Sequence, residues 1–131
     1  MKKQIDVVGA VIRKNDQILC AQRGLNGSLA GLWEFPGGKI EVGETKRAAL
    51  EREIVEELRC VVSVGDEITT TSYEYPFGVV RLTTFHCELE KGTPQLTEHA
   101  AVLLLEQKEL KSLNWAPADI PAVEILVSEA L

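Results

Sequence analysis

From Ile5 to Ile12 the chain is almost unbroken in β-branched and small apolar residues, and after the polar stretch Lys14-Asn15-Asp16-Gln17 a second apolar run extends from Ile18 to Gln22. Two such runs around a short polar break predict a hairpin. Leu25 to Gly31 is small and polar and reads as a loop, and Leu32-Trp33-Glu34-Phe35 predicts a short strand stopped by Pro36-Gly37-Gly38. From Thr45 to Leu58 the period becomes helical, with Leu50, Ile54 and Leu58 repeating every fourth residue along one edge. Glu44 and Thr45 stand where anionic and capping side chains suit a helix start. Val61 to Tyr75 and Val79 to Leu89 predict strands around a Pro76-Phe77-Gly78 turn, and Ala100 to Leu105 predicts a short, continuously apolar strand. Glu106 to Leu110 begins a helical turn, and Pro117 to Leu131 predicts a C-terminal helix.

These elements define an α+β class, with a mixed sheet covered by helices. No linker, repeat or low-complexity segment divides the 131 residues, so one domain over 1–131 is expected. A chain of this size buries roughly 65–70% of its unfolded surface, enough for a core without covalent staples. Fourteen Lys and Arg against twenty Asp and Glu give a formal charge of -6. That balance argues against a binder of polymeric nucleic acid, which needs a basic face. No apolar run approaches the roughly 20 residues that cross a bilayer, and Asp6 interrupts any signal-like opening. Cys20, Cys60 and Cys87 are odd in number and far apart, as expected of reduced, buried thiols in a cytoplasmic protein.

Chemistry concentrates on the predicted helix. Glu53, Glu56 and Glu57 project within about 100° of one another, beside the Leu50/Ile54/Leu58 edge. Like charges at this spacing repel. Arg52 can pair with Glu56 at i,i+4, but one cation does not offset three anions. A divalent ion would, and hard oxygen ligands suit Mg²⁺, with Mn²⁺ as substitute. A solvated acidic face carries the same pattern. The preceding segment, Glu34-Phe35-Pro36-Gly37-Gly38-Lys39, changes the weighting. Glycines admit close approach of a ligand to backbone, and Lys39 can reach a phosphate. A metal-bearing acidic helix behind such a loop is what phosphoanhydride hydrolysis requires.

Gly38, five residues, Glu44, seven residues, then Arg52-Glu53-Ile54-Val55-Glu56-Glu57 resembles the box of the Nudix hydrolases. One position departs from it. The family expects glycine just before the closing aliphatic residue, where this chain has Arg59 before Cys60. A non-glycine residue held there in the left-handed conformation costs on the order of 1 kcal/mol but removes no ligand. Arg23, the run Leu32 to Glu41, and the ending Ala116-Pro117-Ala118-Asp119-Ile120-Pro121 are similar to the MutT-like branch. The resemblance implies the α/β/α Nudix sandwich and attack of water on an internal phosphorus of a nucleoside triphosphate. It further implies Mg²⁺ on Glu53, Glu56 and Glu57 with the Gly37 carbonyl, joined by Glu98 from a later loop. Glu53 or Glu98 would be the base, and Glu57 belongs to the same catalytic set. Arg23 and Lys39 would hold phosphates, while Arg52 and Glu44 would brace the loop and helix.

Asp119 is the candidate reader of the base. MutT-like enzymes that remove oxidised guanine nucleotides carry asparagine at the matching position, which both donates and accepts; an ionised aspartate only accepts. A carboxylate fits the exocyclic amino group of cytosine, and the ending around Asp119 is similar to that of CTP pyrophosphohydrolases. Cytosine nucleotides are therefore the expected substrates, with 8-oxo-dGTP as alternative through a protonated Asp119. A carboxylate near the start of the last helix could equally serve that helix. Tyr75, Phe35 and Trp115 are candidate stacking surfaces, each also suited to core packing, and Ser28 and Glu34 lie in or beside a loop that would close over the nucleoside. His86 and His99 read as structural, because a magnesium site prefers oxygen. The other class to weigh is a noncatalytic nucleotide-binding Nudix module, against which the intact box carboxylates argue. Monomer and homodimer stay open.

Overall fold

The computed structural model describes residues 3–95 and 97–130. Strands β1 (Gln4–Lys14) and β2 (Gln17–Gln22) form the expected hairpin, but they pair only at its closed end, Arg13 with Ile18 and Lys14 with Gln17. They then diverge. Two short strands enter between them: β3 (Trp33–Glu34) pairs with Ala21 and Gln22 of β2, and β4 (Gly37–Lys39) with Val7 to Gly9 of β1. The Pro36-Gly37-Gly38 stop expected from the sequence is therefore a crossing, not an end. Glycine makes it so: a Cβ on Gly37 would collide with the Val8 carbonyl oxygen.

The other edge of β1 pairs along its length with β6 (Gly78–Lys91), in parallel. β6 in turn forms a long antiparallel hairpin with β5 (Val61–Tyr75), whose register shifts near Val64 and Glu67. The last strand, β7 (Ala101–Glu106), runs antiparallel along β2. All seven strands make one mixed sheet.

Alternation along β1 and β2 sends side chains to opposite faces. Val8, Ala10, Ile12 and Leu19 join Leu50, Ile54 and Leu58 of helix α1 (Lys46–Leu58) in one core. Val11, Ile18 and Cys20 join Phe35, Trp115 and Ala122, Val123 and Leu126 of helix α2 (Ile120–Glu129) in another. The sheet thus lies between helices, the expected α+β sandwich. Each fully buried leucine or isoleucine of the α1 edge contributes about 1.5–3 kcal/mol. The last helical segment is shorter than its sequence suggested: Pro117–Asp119 is a 3₁₀ turn ahead of α2, and Leu131 lies outside the described residues. The turn expected over Glu106 to Leu110 is a 3₁₀ helix over Gln107–Ser112. Among the described residues no helix is long and apolar enough to cross a membrane.

Thr45 caps α1, its hydroxyl accepting from the Ala48 N–H at 3.1 Å. At the other end Arg59 adopts the left-handed conformation (φ 56°, ψ 35°), as expected of the box glycine it replaces, and its N–H returns to the Val55 carbonyl.

Candidate active site

Where β1 and β2 part, β3 and β4 floor a cavity of about 560 Å³. Arg23, Ser28, Glu34, Phe35, Gly37, Lys39, Glu57, Tyr75, Glu98 and Asp119 all face it. Of the candidates named from sequence, the aromatic Trp115 does not line it, nor do the carboxylates Glu53 and Glu56. Both carboxylates are drawn toward Arg52. That guanidinium holds Glu44 with Nε at 2.7 Å and Nη2 at 2.9 Å, Glu53 at 2.9 Å, Glu56 at 3.2 Å and the Lys39 carbonyl at 3.0 Å. Arg52 is thus the brace between the β4–α1 loop and the helix. Its bonds, with one from the Glu41 backbone, pull the Glu44 carboxyl down to about 2. Glu53 lies directly beneath Gly38, where any Cβ would overlap its carboxylate.

Glu57 is in the opposite condition. Its Oε2 is buried and has no partner among the described residues. Burial, reinforced by the charges of Glu34, Glu53 and Glu98, pushes its pKa up to about 9, and the Gly37 backbone draws it back only in part. The orphaned oxygen, the converging carboxylates and the glycine cradle over Glu53 fit a hard divalent cation. Among the described residues no three acidic side chains are gathered into a finished ligand shell. Arg52 holds two of them, Glu53 and Glu56, aside.

Glu98 comes from the loop between β6 and β7, which is fastened to the carboxyl end of α1. The Gln95 N–H reaches the Leu58 carbonyl at 2.8 Å and the Thr97 hydroxyl reaches the Glu57 carbonyl. Arg23 continues β2, and it is braced internally, its Nη1 on Glu34 Oε1 at 2.9 Å and its Nε on the Ser28 carbonyl at 3.1 Å. Lys39 makes no ion pair with a described residue.

Asp119 is 5% exposed, and its Oδ1 accepts the Phe35 N–H at 3.1 Å. Burial, with the nearby Glu34 charge, raises its pKa well above the usual carboxylate range. The Phe35 ring is tilted against Trp115 with centroids 4.7 Å apart, and the Trp115 indole donates to the Leu110 carbonyl. Trp115 is therefore core and no stacking surface. Tyr75 accepts the Ala118 N–H at its hydroxyl and lies parallel to Phe77, with centroids 5.1 Å apart.

Phe77 and His99 are among the cavity residues that escaped the sequence reading. Phe77, assigned only to a turn, forms part of the aromatic wall. His99, taken as structural, faces the cavity with Nε2 2.9 Å from Glu34 Oε2. Its position beside Glu98 was the available signal. The three cysteines are buried and unpaired, as expected, and burial pushes Cys20 and Cys87 up to about 12.

A glycine-floored cavity fed by an acidic helix in a mixed-sheet sandwich defines a phosphoanhydride hydrolase class, and comparison with known proteins agrees. The NUDIX domain model matches residues 7–124, and the chain belongs to the Nudix hydrolase family, whose members generally use divalent metal ions. It is 39% identical over 126 residues to the CTP pyrophosphohydrolase of Escherichia coli K12, covering 96% of this chain and 93% of that one. To the putative 8-oxo-dGTP diphosphatase 2 of Mycobacterium tuberculosis it is 40% identical over 126 residues, covering 91% and 84%. The solution structure of the MutT protein (family Nudix hydrolase) from methicillin-resistant Staphylococcus aureus 252 superposes with a TM-score of 0.81 at 56% identity, covering 98% and 99%.

Proposed function

We propose that the chain is a Mg²⁺-dependent nucleoside triphosphate pyrophosphohydrolase that favours cytosine nucleotides (CTP, dCTP and 5-methyl-dCTP). The observation that carries this reading is one cavity lined both by an uncompensated carboxylate, Glu57, and by the buried Asp119 carboxyl. Similarity to the CTP pyrophosphohydrolase of E. coli supports the same substrate class.

Glu53, Glu56, Glu57 and Glu98, with the Gly37 carbonyl, would hold Mg²⁺ or Mn²⁺. The bound ion screens phosphate charge and lowers the pKa of water. In this reading Glu98, which faces the cavity, takes the proton of the attacking water, while Glu53 keeps one oxygen on Arg52. The water oxygen bonds to an internal phosphorus, the bridging P–O bond breaks, and pyrophosphate leaves from the monophosphate. Arg23 and Lys39 hold the phosphates, Arg23 through the guanidinium hydrogens that Glu34 and Ser28 leave over. Ser28 lies in the loop over the nucleoside.

Base choice rests on Asp119 as a neutral acid. Its Oδ1 is occupied as an acceptor by Phe35, so the proton belongs on the other oxygen and the group offers a donor beside an acceptor. Cytosine presents the complementary pair, an amino donor at N4 and an acceptor at N3. Tyr75 and Phe77 supply the apolar wall. Burial favours the protonated form of Asp119 over the ionised one expected from sequence, and that supports a second reading. The N7–H and O6 of 8-oxoguanine also form a donor–acceptor pair, whereas unmodified guanine offers two acceptors. The alternative substrate is thus 8-oxo-dGTP.

The test is pyrophosphate release with Mg²⁺ from CTP, dCTP, 5-methyl-dCTP, dGTP and 8-oxo-dGTP. Selective turnover of the cytosine members is expected; selective turnover of 8-oxo-dGTP would replace the base assignment. No pyrophosphate from any triphosphate would overturn the activity and leave the noncatalytic nucleotide-binding module.

A further inference from the structure

His99 lies in a segment fixed on both sides. Thr97 is bonded to the Glu57 carbonyl, and the Ala100 N–H reaches the Gln22 carbonyl at 2.8 Å, one residue before Arg23. The imidazole is only 5% exposed. Its Nδ1 is buried with no partner among the described residues, while Nε2 faces a carboxylate oxygen. The tautomer that satisfies this pairing carries its hydrogen on Nε2 and donates it to Glu34 Oε2. Glu34 therefore receives His99 on one oxygen and Arg23 on the other, each at 2.9 Å. A carboxylate held at one oxygen can rotate about its terminal bond, and one held at both by different donors cannot. Packing alone gives no reason for an imidazole here, since it leaves a buried nitrogen unsatisfied, which costs stability.

We propose that His99 is a positioning residue for phosphate binding: it locks Glu34, and Glu34 in turn aims the Arg23 guanidinium into the cavity. This deepens the proposed function, on which the role of Arg23 toward a triphosphate rests. His99 touches neither substrate nor reacting atoms in this scheme, so its effect belongs to affinity and not to the chemical step.

Two substitutions separate positioning from packing. The amide nitrogen of glutamine reaches the place of Nε2, whereas that of asparagine reaches only the place of Nδ1. His99→Asn is expected to raise KM for the preferred triphosphate roughly tenfold, the scale on which outer partners of a binding group act, with kcat within about twofold. His99→Gln is expected to recover most of that loss. In an Arg23→Ala background neither substitution should change KM further. Calorimetry with inorganic tripolyphosphate and Mg²⁺ should give the same ordering of Kd, with thermal unfolding confirming that each variant is folded. Equal effects of Asn and Gln, a fall in kcat at constant KM, or full additivity with Arg23→Ala would each overturn the proposal. If the unmodified protein hydrolyses no triphosphate, the functional reading fails separately, and the tripolyphosphate titrations still decide the role of His99.

Discussion

The two faces of α1 carry the same side chain under opposite conditions. On the outer face Glu53 and Glu56, with Glu44 from the preceding loop, surround Arg52, and Glu44 is held at about 2. On the cavity face Glu57 meets Glu34, Glu53 and Glu98 and is pushed up to about 9. The chain supplies a guanidinium, that of Arg52, to Glu44, Glu53 and Glu56, and leaves the buried Glu57 Oε2 without a partner among the described residues. An acidic cluster in a folded protein is thus informative less by its size than by whether a guanidinium accompanies it. Loss of compensation on the cavity side has a stability cost in the metal-free protein, one that a cation from solution removes.

The comparison is tested most sharply on its uncompensated side. Glu57→Gln is expected to lower turnover by about 10²–10⁴-fold, the range typical of a lost catalytic group, while circular dichroism stays unchanged. Turnover near that of the parent would remove Glu57 from the chemistry. On the compensated side, Arg52→Gln is expected to weaken metal affinity roughly 10–100-fold, as loss of a ligand's outer partner does, and to lower Tm. Titration of Mg²⁺ against activity measures the first effect and thermal unfolding the second.

Acidity supplies the next test. Because the folded protein holds a proton on Glu57 that the unfolded chain gives up near pH 4.5, stability of the metal-free protein should fall as pH rises from about 4.5 toward about 9. Saturating Mg²⁺, and separately Glu57→Gln, should flatten that slope in Tm against pH; a slope indifferent to both would place the burden elsewhere. The smallest effect belongs to the helix end. Arg59→Gly is expected to stabilise by about 1 kcal/mol, by relieving a left-handed non-glycine residue, with activity unchanged.

The sequence made the local parts of this architecture readable. Leu50, Ile54 and Leu58 disclosed the inward edge of α1, and the turns at Asn15-Asp16 and Pro76-Phe77 disclosed two hairpins. It did not disclose the parallel pairing of β1 with β6, because partners about 75 residues apart leave no mark on either strand's period. Nor did it show that Gly37 and Gly38 continue into a strand, since composition alone gives glycine pairs the look of a turn. Within the site, fixed spacing exposed the loop and helix residues. His99 and Phe77 enter the cavity only through the fold, and the upward shift of the Asp119 pKa depends on a burial that no neighbouring residue in the sequence announces.

The fastening of the β6–β7 loop also sets where the chain can accept foreign residues. Surface loops ordinarily tolerate insertions. Here Gln95 and Thr97 grip the last carbonyls of α1 and Ala100 grips Gln22, so a single added residue between them would carry Glu98 out of step with Glu57. The Asn15–Asp16 turn sits at the opposite end of β2 from Arg23. A tag, linker or new terminus belongs there, where lengthening the chain leaves the carboxylates in register.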